Sequence, residues 1–245
     1  MNFPNINISG LKIDCIDYNS LLDFISDSIS GNEKTNIAYA NANTINLIFS
    51  DKNFLNTLNS FDIVHPDGMG IYLASKFLFG RNGLEKRITG SDFYPILARE
   101  AAKNYWKIFF FGHDDETLRK IEEVYPNLNI CGYNEGYNSD NEKLISKINL
   151  HKPDILIIGL GSPKQENWIQ ENKDKIDYKV CLAVGDGIKV FANTQRRGPV
   201  IFRKLGLEWL VRLIKNPFKY WKRYIIGNPL FLYRIFKLKM SKFVK

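Results

Sequence analysis

The stretch Asp62–Asp92, DIVHPDGMGIYLASKFLFGRNGLEKRITGSD, indicates how this chain folds. A short apolar strand breaks at Pro66 and is followed by Asp67, by Gly68 and Gly70, and then by a helical pattern. A carboxylate between a strand end and a helix start lies where α/β sheets bind their ligands. Glycines allow a ligand to approach the backbone, and a helix N-terminus favours an anion such as phosphate. Two roles for Asp67 are equally open here: ligand binding or capping of its helix.

Strands and helices alternate along most of the chain. The alternation runs from Ile37 to Gly187 and predicts an α/β fold with a mostly parallel sheet. Three apolar strands end in glycine, at Gly112, Gly159 and Gly185, which is typical of ligand binding along one edge of the sheet. Neither GxGxxG after a first strand nor GxxxxGK[ST] occurs, so the sequence disfavours a dinucleotide or P-loop site.

Polar residues follow the strand that ends at Ala40. The sequence continues Asn41-Ala42-Asn43-Thr44 and then becomes helical. Side-chain amides at this place can bind sugar hydroxyls or a phosphate, and they can equally cap the helix. For Asn43 and Thr44 capping is the favoured interpretation.

The segment after Gly161 has the pattern of a helix start. Ser162 is predicted to be the N-cap, Pro163 takes the first helical position, and Gln165 has the spacing of a capping box. This interpretation places Glu166 on the first turn of the helix and predicts that its side chain points towards a ligand bound over the sheet.

Two further strand ends carry candidates for binding. His113 follows Gly112, but a single histidine at a strand end is more often a turn residue than a catalyst. Residues 132–137, GYNEGY, form a glycine-containing aromatic segment that ends at Tyr137. It is either a loop that stacks a base or only a turn.

The three cysteines are isolated from one another. Cys15, Cys131 and Cys181 have apolar neighbours and no CxxC spacing, so we expect buried thiols rather than a zinc site or a disulfide framework. This fits a reducing cytoplasm. The first residues do not resemble a signal peptide, and no apolar run reaches about 18 residues, the length of a membrane-spanning helix.

Charge divides the chain into two parts. Residues 196–245 contain 14 Lys and Arg, one acid and 10 of the 33 aromatic residues, whereas residues 1–195 contain 20 basic and 25 acidic residues. The contrast predicts an α/β core over residues 1–195 and an appendage over residues 196–245 with a partner of its own.

The partner of the appendage is an open question at this stage. Residues 218–224 interleave bases with aromatics, and residues 224–233 form an uncharged run too short to cross a membrane. We favour an anionic membrane surface, because the bulky aliphatic side chains need an apolar partner. Nucleic-acid binding is the rival interpretation, and a basic helix pair packed on the core is the structural alternative. These aliphatic residues are Ile225, Ile226, Leu230, Leu232, Ile235 and Leu238.

Taken together, six segments resemble the WecG/TagA/CpsF family of bacterial glycosyltransferases. They occur in the family's order and place the resemblance over about residues 10–224. They are NANTINL (41–47), PDGMG (66–70), RITGSD (87–92), FFG (110–112), GLGSPKQE (159–166) and GLEWLVRL (206–213).

The resemblance implies an inverting hexosyltransferase that needs neither metal nor cofactor. The expected reaction moves a hexosamine-type sugar from a UDP donor to undecaprenyl-diphosphate-linked N-acetylglucosamine. The sugar expected before any other is N-acetylmannosamine or its uronic acid. Such reactions build surface polymers such as teichoic acid. The family fold is a Rossmann-like core with a C-terminal appendage that closes the site. The expected location is cytoplasmic, on the inner face of the cell membrane, and a homo-oligomer is allowed.

The resemblance also implies roles for individual residues. Asp67 is the expected general base, because in the family that role is proposed for the aspartate of the DG motif. The basic residues expected to meet the donor diphosphate are Arg212, Lys219, Lys222 and Arg223. Gln165 is expected at the sugar. The other expected substrate contacts are Asn41, Asn43, Thr44, Gly68, Thr89, Gly90, Asp92, Gly112, Tyr137, Gly159, Ser162, Pro163 and Glu166.

Two departures from the family leave the donor sugar open. Tyr39 stands where many members have threonine, and residues 185–189 read GDGIK where many have GGAFD. The alternatives are another donor, such as UDP-glucose or a uronic acid derivative, and, from another class, a basic nucleic-acid-binding module. A dehydrogenase is a third and weaker alternative.

Overall fold

A computed structural model of the protein describes residues 3–32, 34–137, 140–195 and 198–243. Strands β1 (Asn5–Ile8) and β2 (Leu11–Asp14) form an antiparallel hairpin. Six further strands form one parallel sheet in the order β4-β3-β8-β7-β5-β6, which confirms the predicted α/β fold. They are β3 (Thr35–Ala40), β4 (Ile63–Pro66), β5 (Ile108–Gly112), β6 (Ile130–Asn134), β7 (Ile155–Gly159) and β8 (Val180–Ala183).

Helices flank the sheet and continue into the C-terminal region. Those that lead up to β8 are α1 (Tyr18–Ser30), α2 (Ala42–Ser50), α3 (Lys52–Asn59), α4 (Gly68–Phe79), α5 (Gly90–Lys103), α6 (Asp115–Val124), α7 (Asn141–His151) and α8 (Lys164–Asn172). Those after β8 are α9 (Ile188–Phe191), α10 (Val200–Lys204), α11 (Glu208–Lys215), α12 (Pro217–Trp221) and α13 (Gly227–Phe243), with a π-helical turn, Lys222–Ile226, before the last.

Successive residues of the central strands enter two different cores. In β5, Phe109 and Phe111 belong to one buried cluster, whereas Ile108 and Phe110 belong to the other. A strand places neighbouring side chains on opposite faces, and both faces of a parallel sheet are covered. This explains why the strands are apolar at every position rather than at alternate ones.

Glycines at the strand ends allow β5 and β7 to pack closely. Gly112 pairs with Gly159 in the sheet, and a Cβ on Gly112 would lie 2.6 Å from the carbonyl carbon of Gly159. Gly112 therefore has a packing role that accounts for its identity without any ligand.

The last helix packs on the core. Phe231 and Ile235 of α13 are buried in the cluster that also holds residues of α2 and α4. Arg234 donates from Nη1 to the backbone oxygen of Asn46 at 2.8 Å and to its Oδ1 at 2.9 Å. Asn46 in turn donates from Nδ2 to the Gly227 oxygen at 2.7 Å. The aliphatic residues of the tail thus separate into buried ones, such as Ile235, and exposed ones, such as Ile225.

Two local predictions need correction. Strand β6 includes residues 132–134, so only the end of the predicted aromatic loop is a loop. Of the cysteines, Cys181 is buried, but Cys15 and Cys131 are only partly covered. None of the helices among the described residues combines the length and the apolarity that crossing a membrane requires.

Candidate active site

Two adjoining cavities lie over the carboxyl ends of the central strands. The larger has a volume of about 450 Å³ and the smaller about 330 Å³. They share a wall whose members come from β3, from the segments that follow β3 and β8, and from the C-terminal region. This shared wall consists of Tyr39, Asn41, Asn43, Asp186 and Arg223.

Asp67 lies in the larger cavity and is held from two sides. The backbone N–H of Gly90 donates to its Oδ1 at 3.0 Å, and Nδ2 of Asn41 approaches its Oδ2 at 3.5 Å. The side chain makes no hydrogen bond to the start of α4, so the capping role considered for Asp67 is wrong. Gly68 has φ +88°, a conformation that favours glycine, and it turns the chain from β4 into the helix. A half-buried carboxylate is thus fixed in the cavity with acceptor capacity to spare.

Asn41, not Asn43, caps α2. Oδ1 of Asn41 accepts from the N–H groups of Asn43 and Thr44 at 3.0 and 3.1 Å, and Thr44 completes a capping box. The prediction is therefore wrong for Asn43 and right for Thr44, whose side chain is buried. Since capping uses Oδ1 of Asn41, its Nδ2 is available to Asp67, while the Asn43 side chain lines both cavities.

Thr89 and Asp92 organise the loop that supports Asp67. Thr89 caps α5 by accepting from the Asp92 N–H at 3.3 Å, and its hydroxyl donates to Oδ2 of Asp92 at 2.7 Å. Thr89 and Gly90 line the larger cavity, whereas Asp92 does not. The Asp92 contact therefore fixes the loop.

The SPKQE segment forms a buried network instead of a capped helix start. Ser162 donates to Oε1 of Glu166 at 2.7 Å, and Gln165 donates to the same oxygen at 2.8 Å. Oε1 of Gln165 accepts from the N–H groups of Gly161 and Gly185 at 3.1 and 2.9 Å, which ties the loops after β7 and β8 together. Ser162 is therefore not the N-cap, since α8 begins at Lys164 without a side-chain cap.

Glu166 differs most from its predicted position. Its side chain and that of Gln165 are fully buried, so Glu166 does not project over the sheet. Burial raises the pKa of the Glu166 carboxyl. Of this segment, only Gly159, Leu160, Gly161 and Ser162 line a cavity.

Asp186 joins the sheet edge to the appendage. The Tyr220 hydroxyl donates to its Oδ2 at 2.9 Å, and Nζ of Lys219 lies 3.6 Å from its Oδ1. Burial raises the pKa of Asp186, but Lys219, the Tyr220 hydroxyl, Lys189 and Arg212 together lower it by a larger amount, so the pKa of Asp186 is below its ordinary value. Asp186 is thus an ionised partner for the basic groups of the appendage.

Arg212 carries positive charge into the larger cavity. Burial lowers its pKa, but the neighbouring groups, which include Tyr224 and Asp67, raise it above the ordinary value. With the amide oxygen of Gln195 turned towards the guanidinium, Gln195 accepts from Nε of Arg212 at 2.9 Å. The charge is therefore held in place by an uncharged partner.

Tyr39, on the wall shared by the two cavities, stays protonated at neutral pH. Burial, together with the charge of Glu166, raises the pKa of Tyr39 to about 12. A Cβ on Gly185 would lie only 2.8 Å from the Tyr39 hydroxyl oxygen, and the backbone φ of Gly185 is +54°. Both departures from the family pattern are therefore adjacent in space, on the wall between the cavities.

His113 has the geometry of a turn residue. Its φ is +65°, and its imidazole Nδ1 lies 2.7 Å from the Asp114 carboxylate. Burial and the nearby Lys189 lower the pKa of His113, and the side chain borders the smaller cavity.

Most of the predicted site residues line one of the two cavities. Those that do are Asn41, Asn43, Asp67, Gly68, Thr89, Gly90, Tyr137, Gly159, Ser162, Arg212, Lys219 and Arg223. Those that do not are Thr44, Asp92, Gly112, Pro163, Gln165, Glu166 and Lys222. The second group is buried, supports the first, or in the case of Lys222 is exposed.

Several residues of the cavities have no role in the sequence-based prediction, and Arg87, Trp209 and Tyr220 are among them. Arg87 lines the larger cavity and donates to the Arg203 oxygen at 2.7 Å, Trp209 lines the same cavity, and Tyr220 lines the smaller one. The signal for Arg87 was its place at the start of RITGSD. Within the part of the chain that the structure describes, no group of three or more His, Cys, Asp or Glu is arranged to hold a metal ion.

Comparison with known proteins identifies the class to which this fold and cleft belong: the protein is a glycosyltransferase. A profile of the Glycosyl transferase WecG/TagA/CpsF family matches residues 6–244, and the chain belongs to that family. This confirms the resemblance found in the sequence.

Curated relatives agree with the family assignment. Proteins of Staphylococcus aureus strains MW2, MRSA252 and NCTC 8325 / PS 47 are 30% identical to this chain over 249 residues, which cover 97% of this chain and 94% of each relative. All three are named N-acetylglucosaminyldiphosphoundecaprenol N-acetyl-beta-D-mannosaminyltransferase.

Proposed function

We propose that the protein transfers an N-acetylmannosamine-type sugar from a UDP donor to N-acetylglucosaminyl-diphospho-undecaprenol, with inversion and without a metal ion. The acceptor and sugar are those in the names of its relatives. The observation that carries the mechanism is the position of Asp67, which lines the larger cavity beside the wall shared with the smaller one.

The smaller cavity suits the UDP donor. At Gly161 no atom beyond its chain neighbours lies within 4 Å of the position that a Cβ would take, so the nucleotide can approach the backbone there, at the sheet edge. Lys219 and Arg223 supply positive charge for the diphosphate, and Tyr137, which is 62% exposed, is free to stack on the base. These cations take the part that a metal ion plays in other transferases, which supports metal independence.

The larger cavity suits the sugar diphosphate of the acceptor. Arg87 and Arg212 border it, and a guanidinium matches the two oxygens of a phosphate. Arg212, which the family resemblance assigns to the donor diphosphate, is therefore proposed for the acceptor diphosphate instead. An acceptor sugar placed between them and Asp67 would direct one hydroxyl at the carboxylate and at the shared wall.

The reaction then needs one displacement. Asp67 accepts the proton of the acceptor hydroxyl as that oxygen forms a bond to the anomeric carbon of the donor sugar. The bond from that carbon to the UDP oxygen breaks, and Lys219 and Arg223 stabilise the negative charge that develops on the leaving group. Attack from the side opposite to UDP inverts the anomeric configuration. Gly90 and Asn41 hold the carboxylate oriented throughout.

The appendage, residues 196–245, is proposed to close the site over the core, residues 1–195, and to meet an anionic membrane surface. Exposed aromatic side chains beside basic ones support the membrane contact. Phe218 is 95% exposed, Trp221 is also exposed, and Nζ of Lys222 lies 5.6 Å from the centre of the Trp221 ring. A lipid-linked acceptor and a UDP-sugar donor meet at the inner face of the cell membrane, which is the proposed location.

UDP release from a panel of UDP-sugars, with and without N-acetylglucosaminyl-diphospho-lipid, tests the proposal. Acceptor-dependent release with UDP-N-acetylmannosamine is expected. Release with UDP-glucose or a uronic acid donor alone would replace the sugar and keep the reaction. No acceptor-dependent release with any donor, from folded protein, would overturn the proposed function.

A further inference from the structure

Helices α4 and α13 run side by side in the same direction. A Cβ on Gly70 would lie 3.6 Å from the Phe231 ring, and Nζ of Lys239 donates to the Leu78 oxygen at 3.3 Å. The two contacts are eight residues apart on both helices, so the helices are parallel and in register. Since α4 begins at the residue after Asp67, the pair leads away from the larger cavity.

Each helix exposes a row of apolar side chains that begins at this cavity. On α4 these are Leu73 and Phe77, which are 56% and 47% exposed. On α13 they are Leu232, Phe236 and Met240, which are 64%, 56% and 48% exposed. Spacing of four residues places each set on one side of its helix. We name these five residues the apolar track.

The apolar track is continuous with the larger cavity. Leu73 and Leu232 both line the cavity wall, one from each helix, so the two rows meet at its opening. At the other end, Lys239 lies over the Phe77 ring at 5.7 Å and bonds to α4, so the rows remain adjacent. The α13 row spans about 12 Å, at 1.5 Å per residue.

Positive charge borders the apolar track. Nζ of Lys239 lies over the ring of Phe77, a member of the track, at 5.7 Å, and Lys76 is the residue before Phe77 in α4. Neither helix contains an acidic residue. Apolar side chains with basic groups laid along their edges suit a hydrocarbon chain that is attached to an anionic group.

We infer that the apolar track holds the part of the acceptor's isoprenoid chain nearest its diphosphate. This rests on the proposed function, which places the diphosphate between Arg87 and Arg212 in the cavity. A chain that leaves that cavity at Leu73 and Leu232 passes directly onto exposed apolar surface, which would otherwise face water.

Chain length is the variable that tests this inference. The double variant L73Q/L232Q is compared with the unaltered enzyme, in detergent, on a long-chain acceptor of eleven isoprene units and on a short-chain acceptor whose diphosphate carries only a methyl group, which cannot reach the track. We expect kcat/KM on the long-chain acceptor to fall by about tenfold, from lost apolar burial. The short-chain acceptor should be affected far less. The matched control is Leu150→Gln, because Leu150 is 81% exposed and lines neither cavity.

Three outcomes would overturn the inference. Equal losses on both acceptors would mean that the leucines support the cavity, and no loss on either would mean that the chain takes another route. A variant that binds acceptor-free anionic vesicles less well, but keeps its chain-length preference, would make the track a general membrane contact.

A binding measurement separates this inference from the proposed function. Farnesyl diphosphate should quench the fluorescence of Trp209, which lines the cavity, more strongly in the unaltered protein than in L73Q/L232Q, with pyrophosphate as the reference ligand. If no sugar transfer is found but this difference holds, the proposed function fails and the apolar track stands. If transfer occurs without the difference, the track fails alone.

Discussion

The backbone N–H of Gly90 donates to Oδ1 of Asp67 at 3.0 Å, and this bond joins two segments that are 23 residues apart in the chain. It fixes the carboxylate to the start of α5, while the carboxylate makes no hydrogen bond to the start of its own helix, α4. A carboxylate that does not cap its own helix, yet is oriented by a fixed donor, is prepared to receive a proton.

The first prediction concerns the proton acceptor. Asp67→Asn should lower kcat by at least about 100-fold, because an amide cannot take the proton that general-base catalysis transfers. UDP binding should stay nearly unchanged, since Asp67 lines only the larger cavity. Steady-state rates and calorimetric UDP titration measure the two effects. The control is Asp115→Asn, at an exposed carboxylate on α6. Near-normal turnover in Asp67→Asn would remove Asp67 from the mechanism.

The second prediction concerns Arg212. Arg212→Ala should lower kcat/KM by about 100-fold, the effect of removing one positioned donor. The loss should be larger when the acceptor is varied than when the donor is varied, because Arg212 lines the larger cavity. Lys215→Ala, on the same helix but exposed, is the control. A loss confined to the UDP donor would assign Arg212 to the leaving group instead.

The third prediction concerns the buried Glu166. Because the pKa of Glu166 in the folded protein is raised by burial, the folded protein retains this proton when the unfolded chain has released it. Stability should therefore fall as pH rises above about 4.3, the ordinary pKa of glutamate, until the folded-state carboxyl also ionises. In Glu166→Gln this part of the pH dependence should disappear. Urea unfolding between pH 4 and pH 8 measures it, with the exposed Glu122→Gln as control. An unchanged pH profile would show that Glu166 ionises as readily as in the unfolded chain.

The fourth prediction concerns the contact between Asp186 and the appendage. The folded-state pKa of Asp186 is lowered, so its contribution to stability is present above about pH 4 and is lost as the pH falls through the lowered pKa. The difference in unfolding free energy between the unaltered protein and Asp186→Asn should therefore shrink in acid. Amide hydrogen exchange at neutral pH should be faster in α12 of the variant, since Tyr220 and Lys219 lose their charged partner. Unchanged exchange in α12 would mean that other contacts hold the appendage.

The parallel sheet could be predicted because its strands carry an unmistakable local signal. β5, β7 and β8 are apolar at every position, since both faces are buried, and they are followed by glycine or by a tight turn. The position of Asp67 could be predicted for the same reason, because it follows directly from the end of β4.

The errors lie where tertiary contacts choose between two equivalent local options. Asn41 and Asn43 both have a side chain able to cap, and the backbone angle that β3 imposes on Asn41 decides between them. Ser162 has the sequence position of an N-cap residue, but its hydroxyl donates a hydrogen bond to the buried Glu166 carboxylate instead. The buried side of α13 could not be predicted, because its first seven residues, 227–233, carry no charge to mark which side faces water.

The burial of Phe231 and Ile235 has a consequence for the order in which the protein can mature. These side chains complete a cluster whose other members lie mainly in the first three quarters of the chain. During synthesis, α2 and α4 leave the ribosome long before the helix that covers them. The part of this cluster that α2 and α4 form is therefore left uncovered by α13 until translation is almost finished, and exposed apolar surface of this kind favours aggregation of the nascent chain.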